Sequence, residues 1–508
     1  MAKRTADDAP DDDAPTTDES PVQDPGQAQP TRPRPIAQII ITAALAVCVV
    51  VGVVSLIHLD MLPDWALAVV IGLDVVVCGL IGTFLIRSPL PARKVRFTVL
   101  TILAVLAMIA NVGLTKVSDD VGRFTTNIQA TNQSTVRYDI IGPTSGPSDV
   151  TQLANTTMGE LTTDPNAVAA EKKVAELVSV SYKAYDDPTS LATALTSKDI
   201  SSAFIQDTYM QLYQENDPTF YASVKIIATF TLDVTGPQPS PTASATPADP
   251  QAPFILYISG IDVAGPIDTV SRSDVNQLMV VNPKTGKIAL INTPRDFYVQ
   301  LHGTTGLKDK LTHSGIYGID MSVDTMQDLY GITINDWLRI NFSSLVDVVN
   351  AVGGVDVNSP YAFTTSADGK PLVITQGMNQ LNGDQALAFA RDRHNVPGGD
   401  RGRGIDQQAV IEALIQKMSQ PSMLLRYTSI LDTVQNAMQT SMTSDTMAAL
   451  VKQQLSSPVS WSITSYSVTG SDGSAYTYSY SGQKLYVMIP DESTIAHAKE
   501  LIQQTMAG

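Results

Sequence analysis

Hydrophobic residues form three long runs near the start of the chain. The runs cover Ile36–Ile57, Trp65–Ile86 and Phe97–Thr115, and each is close to the roughly 20 residues that a helix needs to cross a bilayer. They predict three transmembrane helices within residues 36–116. Because a polar tail precedes the first run and two more runs follow it, a cleaved signal peptide is not expected.

Lysine and arginine are distributed unevenly around these runs. They occur before the first run and between the second and third, whereas the loop after the first run has none; the residues are Lys3, Arg4, Arg32 and Arg34, then Arg87, Arg93, Lys94 and Arg96. By the positive-inside rule, the N-terminus is cytoplasmic and everything after Val117 is extracytoplasmic. Asp74 interrupts the second run, where a carboxyl group is costly, so we expect it to be neutral or paired within the helix bundle.

The polar parts of the chain suggest two further domains. Residues 1–35 are acidic and rich in proline, which predicts a disordered cytoplasmic tail. Residues 117–235 combine a helix-like stretch at Asn166–Tyr185 with a strand-like end at Val224–Val234, which predicts a small extracytoplasmic α/β accessory domain. The Pro-, Ala- and Thr-rich residues 236–253 read as a linker.

Residues 254–508 alternate between strand and helix patterns, which favours an α/β sandwich built on a mixed sheet. The expected strands include Phe254–Asp262, Gln277–Pro283, Lys287–Pro294 and Trp337–Phe342, and the expected helices include Met321–Gly331, Ser343–Gly353 and Gly404–Met418. Asn382 is a suitable N-cap for another helix.

The composition disfavours nucleic-acid binding and a disulfide framework. The net charge of −17 disfavours nucleic-acid binding, which needs a basic face. The two cysteines, Cys48 and Cys78, both lie in apolar runs, so no disulfide framework is expected.

Two acids and an arginine lie where predicted strands end or begin. Asp262 follows the first strand, and Asp274 stands in the Ser-Arg-Ser-Asp segment before the second. Mg²⁺ is commonly held by one or two carboxylates together with substrate phosphate oxygens. In an extended segment Arg272 and Asp274 would point to one face. The alternative is a salt-bridged loop with no ligand.

Guanidinium side chains recur at Arg295, Arg391, Arg393, Arg401 and Arg403. They bind phosphate oxygens bidentately and keep their charge, which predicts an anion site; a solvated surface cluster is the alternative. Arg391 and Arg393 can converge only if their helix ends near Ala390. No HExxH, GxSxG, Walker or Rossmann motif is present. Acids and arginines without a nucleophile fit phosphoryl transfer by positioning and charge neutralisation.

Seven ordered segments carry a family resemblance. FILYISGID, SRSD, NTPRDFYV, KDKLTHSGIYG, VNAVGGVDV, QLNGDQALAFARDRH and GDRGRGIDQQ together resemble the LytR-CpsA-Psr family over roughly Phe254–Met418. The resemblance implies a twisted central sheet flanked by helices, with an apolar cavity for a polyprenyl chain. It implies a membrane-embedded enzyme that transfers a glycopolymer, of the teichoic acid or capsular polysaccharide class, from a polyprenyl-pyrophosphate carrier to peptidoglycan.

The resemblance also implies roles for individual residues. Asp262 and Asp274 would hold Mg²⁺, with Mn²⁺ as the alternative. Arg272, Arg391 and Arg393 would clamp the pyrophosphate, and Arg295 would be the arginine most tied to catalysis. Gln407, or its neighbour Gln408, would lie near the phosphates, with Lys310 and Arg403 as more distant contacts. Either Asp274 or a metal-bound hydroxide would accept the proton of the attacking hydroxyl.

The family pattern is not complete. Val275-Asn276 replaces an acidic-Thr pair, an arginine just after the Pro-Arg-Asp segment is missing, and Thr312 stands where asparagine is usual. Two other functions stay open: a polyprenyl-pyrophosphate pyrophosphatase with water as acceptor, and a non-catalytic lipid-binding or regulatory protein.

Overall fold

The computed structural model describes residues 36–59, 62–87, 94–128, 133–235, 249–261, 267–420, 423, 430 and 438–508. The predicted tail at residues 1–35, most of the predicted linker and Asp262 lie outside the described residues. Within the described part, three apolar helices precede two regions that are each built on a β-sheet.

The three N-terminal helices are α1 (Ile36–Leu59), α2 (Asp64–Arg87) and α3 (Lys94–Ile128). The segments long and apolar enough to cross a membrane are Ile36–His58, Asp64–Arg87 and Val95–Lys116, which agree with the predicted runs to within two residues. Helix α3 does not stop at its apolar segment, because its backbone remains helical to Ile128. It therefore continues past the boundary predicted at residue 117.

Apolar side chains cover the outside of this bundle. Ile40, Leu73 and Ile109 are each more than 60% exposed, which is the pattern of helices that face lipid rather than water. Asp74 is paired within the bundle, since Asn111 of α3 donates a 3.1 Å hydrogen bond to its Oδ1. The pairing expected from the sequence is therefore present.

The first sheet region spans residues 133–235. Its strands are β1 (Gln133–Pro143), β2 (Thr157–Leu161), β3 (Ser181–Tyr185), β4 (Ser202–Gln206) and β5 (Val224–Thr235), and its helices are α4 (Ala167–Leu177), α5 (Pro188–Thr196), α6 (Asp207–Asn216) and α7 (Pro218–Ser223). The sheet order is β3-β2-β4-β1-β5. The helix predicted at Asn166–Tyr185 is wrong in its second half. Val178 is extended, and the next residues pair in parallel with β2 instead of continuing α4.

The second sheet region has the strand–helix alternation that the sequence predicted. Its strands are β6 (Phe254–Ile261), β7 (Ser273–Asn282), β8 (Lys287–Asn292), β9 (Tyr298–Val299), β10 (Asp309–Lys310), β11 (Asp336–Asn341), β12 (Val355–Ser359), β13 (Phe363–Ala367), β14 (Lys370–Ile374), β15 (Gly377–Leu381), β16 (Met438–Thr440), β17 (Ser462–Ser467), β18 (Gly470–Tyr476) and β19 (Lys484–Pro490). Its helices are α8 (Ile319–Tyr330), α9 (Phe342–Ala351), α10 (Gly383–Arg391), α11 (Asp400–Met418), α12 (Ser444–Ser456) and α13 (Glu492–Ala507). Asn382 caps α10 in a capping box, as expected.

The central sheet runs in the order β16-β11-β6-β7-β8-β17. Strands β6 and β11 are parallel, β8 and β17 are parallel, and β7 runs antiparallel between β6 and β8. The carboxyl ends of β6, β8, β11 and β17 therefore meet the start of β7 at one edge. The mixed α/β fold expected from the sequence is confirmed, and this edge is where such sheets commonly bind ligands.

The two sheet regions share a core. Tyr213 and Phe220 of the first region pack in one apolar cluster with Ile316, Tyr480 and Leu485 of the second. The backbone is also joined across the boundary, since Val270 donates a 3.0 Å hydrogen bond to the carbonyl of Thr135. Apolar burial and backbone pairing fix the position of α6 against the edge of the central sheet.

Candidate anion site at the sheet edge

A cavity of about 980 Å³ opens at this edge of the central sheet. Six residues to which the sequence assigned a role at the phosphates or the metal line it: Arg272, Asp274, Arg295, Arg391, Arg393 and Gln407. These residues come from segments separated by up to 135 positions in the chain. The fold therefore brings together the acids and arginines that the sequence could only propose as a group.

Arg295 and Asp274 form the buried floor of the cavity. Arg295 follows β8 and donates a 2.8 Å hydrogen bond from Nη1 to Oδ2 of Asp274. Thr312 donates a 2.8 Å hydrogen bond to the other oxygen, Oδ1, and its own amide donates to the carbonyl of Arg295. Thr312, which departs from the family pattern, thus positions both partners. Charge-assisted bonds of this kind fix the guanidinium group in one orientation.

Arg272 stands just before β7 and is 8% exposed. Its segment is held by Gly315, because a Cβ on that residue would overlap backbone atoms of Ser271 and Ser273. Only glycine allows such close backbone contact. Within the described part of the chain, the buried Nε of Arg272 has no hydrogen-bond partner. A buried, unsatisfied donor beside a cavity is suited to an incoming oxygen ligand.

Arg391 and Arg393 form the more open wall. Helix α10 ends at Arg391 and Asp392 is extended, so the condition for their convergence is met. Asp392 accepts hydrogen bonds of 2.9 Å from the amides of His394 and Asn395, which fixes the turn. The Arg391 guanidinium lies 4.5 Å from the ring centroid of Phe342, a cation–π contact.

Helix α11 contributes a third wall. Gln407 and Arg403 line the cavity, whereas Gln408 points into the core and donates to the carbonyls of Leu290 and Tyr466. Gln407 is therefore the better of the two alternatives. The expectation that Arg401 belongs to the anion cluster is wrong, because it lies outside the cavity lining and donates to the carbonyl of Gly470 at the exposed surface.

Lys310 supports the floor from behind. It is 3% exposed, lies outside the cavity lining and forms a 3.0 Å ion pair with Asp296. Asp296 also lies 3.7 Å from Nε of Arg295. Lys310 therefore acts on the cavity indirectly, because it holds Asp296 beside Arg295.

Glu215 was not anticipated from the sequence. It belongs to α6 of the first sheet region, and its two carboxylate oxygens bind two different arginines. Oε2 accepts a hydrogen bond of 2.5 Å from Arg272, and Oε1 accepts one of 3.0 Å from Arg295. No local motif marks this residue, since its importance comes only from how the two regions pack.

The arginines control the charge of both acids. Burial alone would raise the pKa of Glu215, but Arg295, Arg272 and Lys310 outweigh it and lower the pKa to about 2. Burial likewise opposes ionisation of Asp274, yet Arg295, Arg272 and the Thr312 hydroxyl lower its pKa below the ordinary value. Both carboxylates are therefore ionised at neutral pH, and neither is suited to accept a proton.

Asp274 is compatible with a divalent cation. An ionised carboxylate next to a cavity is a donor that Mg²⁺ or Mn²⁺ accepts, and substrate phosphates usually complete such a site. Within the described ranges, no group of three or more His, Cys, Asp or Glu side chains has the geometry of a metal site. A protein-only metal cage is thus not present there, and Asp262, the other proposed ligand, is not described.

Apolar side chains form part of the cavity wall, among them Phe342, Leu387 and Ala388. They sit beside Arg391, so a ligand with a charged head and an apolar body could contact both. The longer apolar slot that the resemblance implies for a polyprenyl chain stays a prediction.

Comparisons with known proteins find a matching family model, related sequences and similar structures. The family model described as "LytR_cpsA_psr family" matches residues 228–494. A polyisoprenyl-teichoic acid–peptidoglycan teichoic acid transferase TagU from Bacillus mycoides is 35% identical over 201 residues, covering 39% of this chain and 64% of that protein. The Enterococcus faecalis protein of the same name is 36% identical over 198 residues, covering 38% and 63%. The chain thus spans less than two thirds of the length of these relatives.

Among solved structures, B. subtilis TagV is similar at 29% identity and a TM-score of 0.44, covering 51% of this chain and 98% of that one. A structure of TagT bound to LI-WTA is similar at 26% identity and a TM-score of 0.40, covering 51% and 93%.

Proposed function

This chain belongs to the LytR_cpsA_psr family, and on that premise we propose that it is a membrane-anchored phosphotransferase. Its donor is a glycopolymer linked to a polyprenyl pyrophosphate, and its acceptor is a hydroxyl group of peptidoglycan. The polymer is of the teichoic acid or capsular polysaccharide class. The names of the teichoic acid transferases that resemble this chain support that choice.

One observation carries the proposal: five arginines from four separate segments line a single cavity at the sheet edge. The chain as a whole is acidic, with a net charge of −17. Concentrating guanidinium groups in one cavity therefore favours a multiply charged anion over a neutral sugar. Pyrophosphate has that charge and matches the forked geometry of arginine.

The residues divide the work of the reaction. Arg272 and Arg295 bind the phosphate that carries the polymer, and Arg391 and Arg393 bind the phosphate that stays with the lipid. The acceptor hydroxyl attacks the polymer phosphorus, a new P–O bond forms, and the anhydride P–O bond breaks. Polyprenyl phosphate leaves with the electron pair, and the arginines neutralise the charge that accumulates on both phosphates.

A divalent cation fits this scheme. Asp274, together with Asp262, would hold Mg²⁺ or Mn²⁺, which supplies charge neutralisation to the phosphates when bound. Both carboxylate oxygens of Asp274 accept hydrogen bonds, one from Arg295 and one from Thr312. Burial raises its pKa, but the neighbouring arginines and the Thr312 hydroxyl outweigh burial and lower it. Of the two proton acceptors left open by the sequence, the Asp274 carboxylate is therefore disfavoured.

We place the cavity outside the cell. The positive-inside rule puts the loop between α1 and α2 on the outer face. Asp64, the first residue of α2 after that loop, forms a 2.9 Å ion pair with Lys452 of α12 in the second sheet region. The contact supports a location of the second region on the same side of the membrane as that loop.

The test uses the full chain purified in detergent, a polyprenyl-pyrophosphate donor with a radiolabelled polymer, and peptidoglycan sacculi. Label should become covalently attached to the sacculi, and Asp274→Asn should abolish the attachment while the protein stays folded. A transfer rate unaffected by this substitution would remove the proposed site.

The same assay separates the two competing functions. A pyrophosphatase would release polymer phosphate into solution without labelling the sacculi. A lipid-binding protein would retain the donor and produce neither product, whether or not Mg²⁺ is added.

A further inference from the structure

The region that precedes the family domain places a carboxylate inside the proposed phosphate site. We infer that Glu215 is a built-in competitor: it occupies the guanidinium groups of Arg272 and Arg295 until a substrate phosphate displaces it. The inference rests on the proposed function, because it concerns the occupancy of the same arginines. It assigns to the first sheet region a direct role in setting the affinity of the site.

The geometry of Glu215 is that of a bound anion. One carboxylate oxygen accepts a hydrogen bond from Arg272 at 2.5 Å, and the other accepts one from Arg295 at 3.0 Å. A phosphate group bridging two arginines would use the same donors. A carboxylate and a phosphate cannot share those donors, so binding of one must weaken binding of the other.

The exposure of the three side chains shows which one can move. The side chains of Arg272 and Arg295 are 10% and 7% exposed, whereas that of Glu215 is 36% exposed. Arg295 is also bonded to Asp274 in the floor, through a nitrogen other than the one that binds Glu215. Glu215 covers both arginines from the solvent side, so its side chain can swing away without disturbing the floor.

The location of Glu215 on its helix adds a second argument. It lies in the last turn of α6, next to the final residue Asn216. A carboxylate near a helix C-terminus is opposed by the helix dipole, which leaves this end partly negative. The helix therefore gains nothing from an acid here, and the arginines of the neighbouring region are what stabilise it.

The surroundings hold α6 at the cavity. Gln483 donates a 2.9 Å hydrogen bond to the carbonyl of Asn216 and so ties the end of the helix to the second region. Tyr213, two residues before Glu215, packs against Tyr480 with ring centroids 6.0 Å apart. Because the helix is fixed, displacement of Glu215 requires only rotation of its side chain.

A competitor of fixed charge discriminates between substrate and product. Pyrophosphate bears more negative charge than a single carboxylate and contacts both arginine walls, so it can displace Glu215. After transfer, the phosphate beside Arg272 and Arg295 is a singly charged diester that is no longer linked to the lipid phosphate, so return of Glu215 to these arginines favours its release.

The experiment measures binding of inorganic pyrophosphate to the full chain in detergent micelles by calorimetry, without metal and again with Mg²⁺. Glu215→Gln keeps the shape of the side chain but removes its charge. We expect this variant to bind pyrophosphate roughly tenfold more tightly than the unmodified chain, as expected when charge-assisted bonds no longer compete. Glu176→Gln, an equal change of charge on the exposed face of α4, should leave affinity unchanged.

The outcomes separate this inference from the proposed function. If Arg272→Ala weakens pyrophosphate binding but Glu215→Gln leaves it unchanged or weakens it, the phosphate site stands and the competitor is overturned. A loss in Glu215→Gln that appears only with Mg²⁺ would identify Glu215 as a metal ligand and also overturn it. If neither Arg272→Ala nor Glu215→Gln alters binding, or no binding is measurable in either form, both ideas fail together.

Discussion

Arg272 and Arg295 of the floor form one arginine wall of the cavity, and Arg391 and Arg393 form the other. The two walls are built differently. Arg272 and Arg295 are buried, and each is paired with an acid. Arg391 is exposed and rests on the ring of Phe342, and within the described part of the chain no acid pairs with Arg393. One wall is therefore neutralised by acids of the protein, and the other is open to solvent.

The difference suggests that the buried wall serves the chemical step and the open wall serves substrate binding. A guanidinium fixed by several bonds is already oriented for the charge that develops in a transition state. An exposed guanidinium adapts to its ligand and contributes mainly to binding. Substitutions in the two walls should therefore affect different kinetic constants.

Arg295→Lys should have the largest effect. Lysine keeps the charge but cannot bind Asp274 and Glu215 in the forked geometry. We expect kcat of polymer transfer to fall by about 10²–10³, the range seen when one preorganised donor is removed. Arg401→Lys, which changes an exposed arginine outside the cavity, is the matched control. If both variants keep the full rate, the buried wall has no part in the chemistry.

Gly315→Ala should perturb the buried wall through the backbone. The added methyl group would overlap the segment that carries Arg272, at a cost of about 1–3 kcal/mol in folding free energy. We expect a lower thermal midpoint together with weaker pyrophosphate binding. Gly303→Ala offers a control, because its Cβ would meet no atom within 4 Å although its positive φ is itself strained. Equal loss of pyrophosphate affinity in the two variants would contradict the role of Gly315.

Arg391→Ala should have a smaller effect and a different signature. It removes one exposed charge and its contact with Phe342, so the KM for the lipid donor should rise by about tenfold while kcat changes little. Steady-state kinetics over a range of donor concentrations measures both constants. A fall in kcat equal to that of Arg295→Lys would erase the distinction between the walls.

The smallest expected effects are shifts in stability with pH, and they have opposite signs at Glu215 and at Asp406. The pKa of Glu215 is lowered from 4.5 to about 2, so its ion pairs stabilise the fold fully above pH 4.5, and this contribution is lost as the pH falls toward 2. Relative to the unmodified chain, Glu215→Gln should therefore melt lower at pH 6, and the deficit should shrink toward pH 3.

Asp406 on α11 should behave in the opposite way. Burial, with a smaller contribution from Asp392, raises its pKa from 3.8 to about 7 despite a hydrogen bond from Tyr361. Between pH 3.8 and about 7 the folded chain binds more protons at Asp406 than the unfolded chain does. The free energy of unfolding therefore falls as the pH rises through this window. Asp406→Asn should raise the thermal midpoint by about 2–4 °C at pH 8 and by less at pH 5. A gain that is the same at both pH values would contradict the assignment.

Sequence patterns predicted most of the elements that build the site. Strands β6, β7 and β8 are short segments rich in apolar residues, and the capping box of α10 is local in the chain. Such signals depend on neighbours within a few residues, so they survive without knowledge of the fold. The helix was predicted to continue past Leu177 because no local pattern shows that Ser181–Tyr185 pair with β2.

The site itself was predictable only in part. The arginines and Asp274 are recognisable because they lie in ordered segments of the family pattern. Glu215 lies 57 residues before Arg272 and in another sheet region, so only the packing of the two regions brings them together. The distinction between Gln407 and Gln408 likewise depends on the rotation of α11, which the structure supplies.

Helix α3 has a consequence for where the proposed reaction would take place. Its backbone continues as one helix from the end of the apolar segment at Lys116 to Ile128, which extends it by about 18 Å at 1.5 Å per residue. A continuous helix leaving the bilayer acts as a spacer and sets the height at which the following domains begin. Inserting one helical turn there would move the cavity about 5 Å further from the bilayer with little change in its orientation. Inserting two residues would instead rotate the cavity by about 200° around the helix axis.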